Sequence, residues 1–449
     1  MNDDPIAGHV ELIREVFLYA TRFQGGTFVI QIDDEPLEHP FLPRLLKDLV
    51  LLKEAGIRIC LIPGAKNRID ELLTQYKIPW TTHHGIRVAS EAAMPFVKIA
   101  AFDSAGKLMT HLAELETTAV IGNWVRARGI GVLDGVDFQQ TGMVERVEEE
   151  LIHKTLEEGF VPIFPPVGWS LAGRPYSISS RELAATIAIA LKAQKLFYVS
   201  LETRTLPEEF LLPEEVEKDP SGRVSRMTVQ ETEDFLAMNR ERRETHPYEL
   251  YSLAHRAGRN GIERVHIVDA AIEGVILKEI FSNAGVGTMI HSNVYQSIRP
   301  MVQEDIPDVL RIMQLWIARG VLVRRSEEEL LNRSEDYVVY ESDGSIRGCG
   351  SMHIYQNHLA EIAGLAVDPH FARQGIGRRI VAYLIQRARE LRIDRLFVLT
   401  TRTTDWFEQL GFAAGSPEDL PEERRSDYDE KRKSRVLIYD VRPQAELTR

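Results

Sequence analysis

Apolar positions along this chain change period repeatedly, and each change marks an element. Residues Thr27–Ile32 are almost continuously apolar, as a strand buried on both faces requires. Ile57–Ile62, Thr118–Ile121, Val161–Phe164 and Leu196–Val199 read the same way, while Leu42–Ala55, Ile69–Gln75 and Glu182–Ala193 carry helical spacing. Strands alternating with helices predict an α/β fold, a mostly parallel sheet covered on both faces. Residues 6–23 form a predicted helix with two apolar stripes, Ile6, Val10, Ile13, Phe17 and Ala20 on one and Leu12, Val16, Tyr19 and Phe23 on the other. Such a helix is either covered twice within one core or joins copies of the chain. The stretch 203–247, rich in Glu and Arg and punctuated by Pro207, Pro213 and Pro220, reads as a mobile surface insertion.

A polar stretch at His291–Ser297 divides the chain into expected domains 1–292 and 297–449. Beyond it Ile298–Pro300 opens a strand, and Gln303–Asp305 begins a helix carrying Ile306, Val309, Leu310, Met313 and Ile317. Tyr337–Tyr340 and Ile346–His353 pair as a hairpin turned at Asp343-Gly344. The densest chemistry lies between Glu361 and Arg389. A short strand, Ile362–Val367, stops at Asp368-Pro369, because proline cannot donate to the ladder. Arg373-Gln374-Gly375-Ile376-Gly377 follows, then Ile380, Val381, Leu384, Ile385 and Ala388 at helical spacing. A strand, a basic glycine turn and a helix N-terminus together make an anion cradle.

Charge and cysteine content narrow the partners. The net charge of −13 over 449 residues argues against a nucleic-acid or anionic-membrane surface, so any anion site is a local basic patch. Two distant cysteines, Cys60 and Cys349, suit a reducing compartment. No apolar run is long enough to span a membrane, and the acidic N-terminus does not read as a signal peptide, so a cytoplasmic location is expected. The thirteen histidines are scattered; His83-His84 has no carboxylate at ligand spacing, and His353 and His358 read as surface residues, so no metal is expected.

Asp368-Pro369-x-Phe371 with the glycine turn and Arg378-Arg379 resembles the pyrophosphate loop of the GNAT N-acetyltransferases, although Ala372 stands where that loop usually opens with Arg or Gln. The resemblance implies a smaller α+β acetyltransferase domain. Acetyl-CoA would bind as co-substrate to Arg373, Gln374, Gly375, Ile376, Gly377 and Arg378, and to the backbone of Leu365, Ala366 and Val367. Those amides would also polarise the acetyl carbonyl. Glu361, at the start of the strand, is the candidate general base for deprotonating an amine. No general acid stands out beyond Thr400 or Thr401.

Upstream, Ile62-Pro63-Gly64-Ala65-Lys66-Asn67 and Pro162–Gly168 followed by Tyr176–Ser179 resemble landmarks of the amino-acid kinase fold, acetylglutamate kinase in particular. The kinase's phosphate lysine is Gln31 here, its paired glycines are Asp33 and Asp34, and its terminal aspartate is Arg181. Carboxylates there repel phosphate, so a scaffold without phosphoryl transfer is expected. His266, Glu279, Gly285 and Gly287 resemble the arginine-feedback site of arginine-sensitive kinases and synthases. In those proteins the N-terminal helix joins dimers into a hexamer.

Gly320–Ser326 with its paired arginines, Leu399–Phe412, and Asp419–Arg435, in this order, resemble the N-acetylglutamate synthase family across nearly the whole chain. That resemblance implies glutamate held by Arg325, Arg432 and Ser434, with Arg324 the alternative to Arg325, and regulation by arginine. Acetylation of another small amine, or an arginine sensor with a vestigial acetyltransferase, are the alternatives.

Overall fold

The computed structural model describes residues 17, 21, 23–201, 210–213, 216–219, 222–281, 286–292, 296–342, 345–369, 371, 375–426, 428 and 434–441. The expected helix over 6–23, the Asp343-Gly344 turn, Gly285, Ala372, Arg373, Gln374 and Arg432 therefore lie mainly or wholly outside the described residues. The chain divides into two compact units, Met1–Asn293 and Val294–Arg449.

In the first unit nine strands form one sheet. Across it the strands run 217–218, 224–228, 288–291, 264–269, 195–200, 27–32, 58–63, 161–163 and 119–121. Thr27–Ile32 is an interior strand, paired in parallel with Arg58–Pro63 and Lys195–Ser200, and each of its side chains is buried. That double burial is why its sequence is apolar without alternation. Helices Leu42–Glu54 and Ser180–Ala190 contribute to separate apolar clusters, one holding Phe28, Ile30 and Ile32, the other holding Val29. A second sheet orders strands 175–177, 167–169, 125–129 and 142–147.

The 203–247 stretch departs from the expected surface insertion. Strand Val224–Thr228 joins the main sheet beside Thr288–His291, and helix Val229–Met238 starts on a capping box between Thr228 and Glu231. Phe210, Val216, Val224, Met227 and Phe235 are buried in the core. Sparse apolar residues escaped notice among the charges, but their side chains all point inward.

The second unit is a seven-stranded sheet with strands ordered 296–300, 337–342, 345–354, 359–367, 395–400, 435–440 and 413–414. Alternate side chains divide between two clusters. Val338, Tyr340, Met352 and Ile362 pack with Ile376, Ile380 and Leu384 of helix Ile376–Glu390. Tyr337, Val339 and Cys349 pack with Ile306, Val309 and Met313 of helix Ile306–Ala318. Among the described residues no helix is long and apolar enough to cross a membrane.

Candidate active site

The site in the second unit begins where its sheet opens. Leu359–Val367 pairs in parallel with Arg395–Thr400 only at Leu359, Ala360 and Glu361, and the ladder stops there. On its other side the strand shifts register opposite Cys349–Ser351, and Gly364 takes φ +61° at that irregularity. The bulge turns the backbone of residues 365–367 relative to the rest of the strand. The Val367 carbonyl accepts the Trp316 indole N–H at 2.7 Å. Backbone amides freed from the parallel ladder are the donors an acyl carbonyl needs.

The strand is anchored just beyond. Asp368 is buried, with Arg311 at 3.6 Å and Arg347 at 4.0 Å, and Phe371 inserts into the core beneath the Arg347 guanidinium. These contacts explain why an acid and an aromatic precede the glycine turn. Gly375 then adopts φ +71° as the N-cap of helix Ile376–Glu390, and among the described residues no side chain caps its first amides. Gly377 lies against the Trp406 ring, while Arg378 and Arg379 are exposed beside it. Bare amides, a helix N-terminus and arginines form an anion cradle.

Glu361 is buried at the mouth of the split. Its Oε2 accepts from Arg424 Nε at 2.8 Å and from the Tyr355 hydroxyl at 3.1 Å, while Oε1 accepts from Arg424 Nη2 at 3.3 Å. Burial, and then the facing Glu361 charge, hold the Tyr355 phenol well above its usual range, so it stays protonated and donates. The cross-strand partner of Glu361 is His353, which is buried rather than at the surface as its loop-flanking position suggested; His358 is exposed. His353 Nδ1 lies 2.7 Å from Asp336 and Nε2 3.1 Å from Ser351 Oγ, which donates to the Ala363 carbonyl at 2.9 Å. This chain of polar groups fixes the strand two residues from Glu361.

Of the expected glutamate ligands, Arg325 is half-buried and Arg324 exposed. Burial pushes the Tyr337 phenol up, and the Arg325 charge opposes that rise. Tyr337 pairs with Ser351, and Ser351 with Ala363, so Tyr337 lies on the face that carries Glu361. Ser434 is half-buried, its carbonyl accepting the Tyr428 hydroxyl at 2.5 Å. Thr400 is built into a turn, its oxygen accepting the Thr403 amide at 3.0 Å, whereas Thr401 is exposed.

In the first unit three of the four effector candidates converge. His266 stacks on Phe197 and sets Nδ1 2.9 Å from Glu279 Oε1; Glu279 Oε2 accepts the amides of Val286 and Gly287 at 2.8 and 2.9 Å. Lys195 Nζ approaches His266 Nε2 at 3.4 Å. Burial, then the lysine charge, lowers His266 to about 4, so the ring is neutral, donating to Glu279 and accepting from the lysine. Burial would raise Glu279, but the His266 hydrogen bond and both amides outweigh it and lower it to about 2. A side chain at Gly287 would collide with the Ile267 carbonyl.

The residues expected to stand in place of the kinase's phosphate-binding groups pair with one another. Arg181 grips Asp33 through Nε at 3.1 Å and Nη2 at 2.8 Å, and reaches Glu249 at 2.6 Å; Gln31 and His246 also contact Asp33. The carboxylate and the guanidinium that replace the kinase residues thus neutralise each other.

Residues 24–202 match the amino acid kinase family and residues 303–412 the acetyltransferase (GNAT) family. An amino-acid acetyltransferase of Pasteurella multocida is 32% identical over 437 residues, 96% of this chain and 97% of that protein. One from Ralstonia nicotianae is 32% identical over 448 residues, covering 96% and 94%. The chain belongs to the amino-acid acetyltransferase family. Among solved structures, N-acetylglutamate synthase from Neisseria gonorrhoeae, complexed with coenzyme A and L-arginine, superposes with a TM-score of 0.83 at 30% identity, covering 97% of this chain and 99% of that one. The same enzyme complexed with coenzyme A and N-acetyl-glutamate gives 0.59 at 31% identity.

Within this amino-acid acetyltransferase architecture, Arg424, Tyr355 and the Asp336–His353–Ser351 chain are neighbours of Glu361 and its strand that the sequence pattern did not place there. Arg424 sits in a charged run, Glu422–Arg425, where nothing separates a buried arginine from a solvated one. His353 had one available signal, its alternation with the apolar residues of its strand, which points it to a covered face.

Proposed function

We propose that the chain transfers the acetyl group of acetyl-CoA to the α-amino group of L-glutamate, releasing coenzyme A and N-acetylglutamate, with arginine acting through the first unit. The observation carrying this reading is Glu361, buried at the point where the strand leaves its parallel partner, on the strand that precedes the glycine-capped helix. Acetyl-CoA lays its pyrophosphate on the amides of Gly375–Gly377 with Arg373, Gln374 and Arg378 beside them, and its acetyl carbonyl on the amides of Leu365–Val367. Glu361 accepts the ammonium proton, directly or through a water, and the freed nitrogen attacks the thioester. The C–S bond of the tetrahedral intermediate breaks, and coenzyme A leaves as thiolate or thiol. Arg325, Arg432 and Ser434 hold the glutamate carboxylates, a task that suits the planar arginine fork.

Phosphoryl transfer is absent from this reading, because Asp33 and Arg181 occupy each other. His266, Glu279, Gly285 and Gly287 form the arginine site, and the chain is a homo-oligomer, a hexamer, in the cytoplasm. Thiol release by the purified protein with each of the twenty amino acids, with and without arginine, tests the proposal. Release with glutamate alone, altered by arginine, is expected. Replacing Arg325 with Ala should raise the KM for glutamate about 10- to 100-fold, the loss of a charge-assisted contact. Release with another amine discards the substrate; none with any acceptor discards the enzyme.

A further inference from the structure

We infer that the first unit carries a site for a divalent transition metal of the zinc class, built by His83, His84 and Asp134. These residues are fifty apart in sequence and meet at the tips of two hairpins. One pairs Thr81–His83 with Ile86–Val88; the other pairs Val132–Leu133 with Val136–Asp137. One nitrogen from each histidine and a carboxylate oxygen of Asp134 lie within 4.8 Å of one another. This is the partner that the sequence spacing of His83-His84 did not reveal.

His84 Nε2 is 3.3 Å from Asp134 Oδ2, an ion-pair distance that also fits two ligands about 2.0 Å from one tetrahedral ion, which stand about 3.3 Å apart. Behind the ring, His84 Nδ1 lies 2.9 Å from Glu244 Oε1. With that carboxylate taking the Nδ1–H, Nε2 can exchange its contact with Asp134 for a lone-pair bond to an ion, the support that metal-ligating histidines ordinarily have.

His83 adds an independent observation. Its Nε2 is sealed from solvent and has no hydrogen-bond partner, while its ring packs 4.2 Å from His84 and 6.0 Å from Phe138. Buried ring nitrogens are almost always satisfied, so this one needs an explanation. A bond to the ion satisfies it. Two imidazoles and a carboxylate, with a fourth position open to solvent at the exposed tip, suit Zn²⁺ or Co²⁺ rather than Mg²⁺ or Ca²⁺.

Bound there, the ion would join the two hairpins to each other and, through Glu244, to the segment ahead of helix His246–Arg259. The full-length protein, stripped with chelator, is titrated with Co²⁺ and then Zn²⁺. The expected result is one equivalent bound, with the visible absorption of a tetrahedral cobalt site that Zn²⁺ abolishes, and a rise in Tm with Zn²⁺. H84A and D134N, both at exposed positions, should abolish the cobalt spectrum while melting near the wild type without metal. E244Q should weaken binding about tenfold. Weak binding of several equivalents that H84A and D134N leave unchanged would overturn the site. So would a tetrahedral spectrum that survives in both variants.

Discussion

Asp33 and Glu361 are both buried carboxylates gripped two-pronged by an arginine, and they have opposite surroundings. Asp33 takes hydrogen bonds from Gln31, His246 and both prongs of Arg181, within a sheet whose ladders continue on either side of the preceding strand. Among the described residues Glu361 is held by Arg424 and Tyr355, and its neighbouring ladder ends at that residue. The same pair of functional groups closes one site and equips the other. What differs is whether the strand beyond the carboxylate leaves amides and space for a ligand.

The sharpest break in that comparison comes from Glu361→Gln. If Glu361 accepts the amine proton, kcat for thiol release should fall about 10²- to 10⁴-fold, the usual range for a lost general base. The KM for acetyl-CoA should stay near wild type, because the cradle at Gly375 is untouched. A fall of less than tenfold in a variant that melts normally would assign the proton to another group, with His353 the nearest alternative.

Arg181→Ala should do little to substrate affinity and much to stability. It strands a buried carboxylate, which in comparable sites costs about 3–5 kcal/mol; with some exposure of both partners the lower end is expected, read by chemical denaturation. The double variant Asp33→Asn, Arg181→Met should recover most of the loss. Burial alone would raise the Asp33 carboxyl, but His246 and then Arg181 reverse it and hold the group well below the usual range. Its stabilising contribution is therefore present above the unfolded value near 4 and lost on acidification.

Asp34 is the acid that this ion pair leaves out. One oxygen accepts the Asn67 amide at 3.0 Å and the other has no partner. Burial raises it to about 6, the Asn67 hydrogen bond opposing and the Asp33 charge adding. A folded value above the unfolded one means the folded state holds the proton more tightly, so stability is lost as pH rises from about 4 to about 6. Asp34→Asn should raise stability by about 1–2 kcal/mol at pH 8, after discounting for partial exposure. The gain should vanish near pH 4 in paired thermal melts.

Much of this was legible in the chain because it is local. The glycine turn, the Asp-Pro stop and the helical stripe of Ile376, Ile380 and Leu384 lie within one stretch, and the doubly buried strands announce themselves by continuous apolar residues. The missing pieces are long-range. Arg424 is 63 residues from Glu361, and Asp33 is 148 from Arg181. A charged side chain's sequence neighbours do not say which buried acid it will meet. The 203–247 stretch misled for a related reason: a few inward apolar residues define a covered strand and helix, whatever the share of charge on the outer face.

The smallest expected effect tests how much of the Glu361 environment is positioning. Tyr355 donates one hydrogen bond to Oε2 while Arg424 supplies two, and its raised phenol keeps that donation intact at working pH. Tyr355→Phe removes one neutral donor of about 1 kcal/mol and leaves the ring, which packs near Phe397. The carboxylate then keeps both Arg424 hydrogen bonds but is less firmly aimed. We expect kcat to fall by no more than about fivefold, with the KM for acetyl-CoA near wild type. A loss as large as that of Glu361→Gln would make the tyrosine hydroxyl itself a party to proton transfer. No loss at all would mean that Arg424 alone positions the carboxylate, which is the arrangement Arg181 gives Asp33.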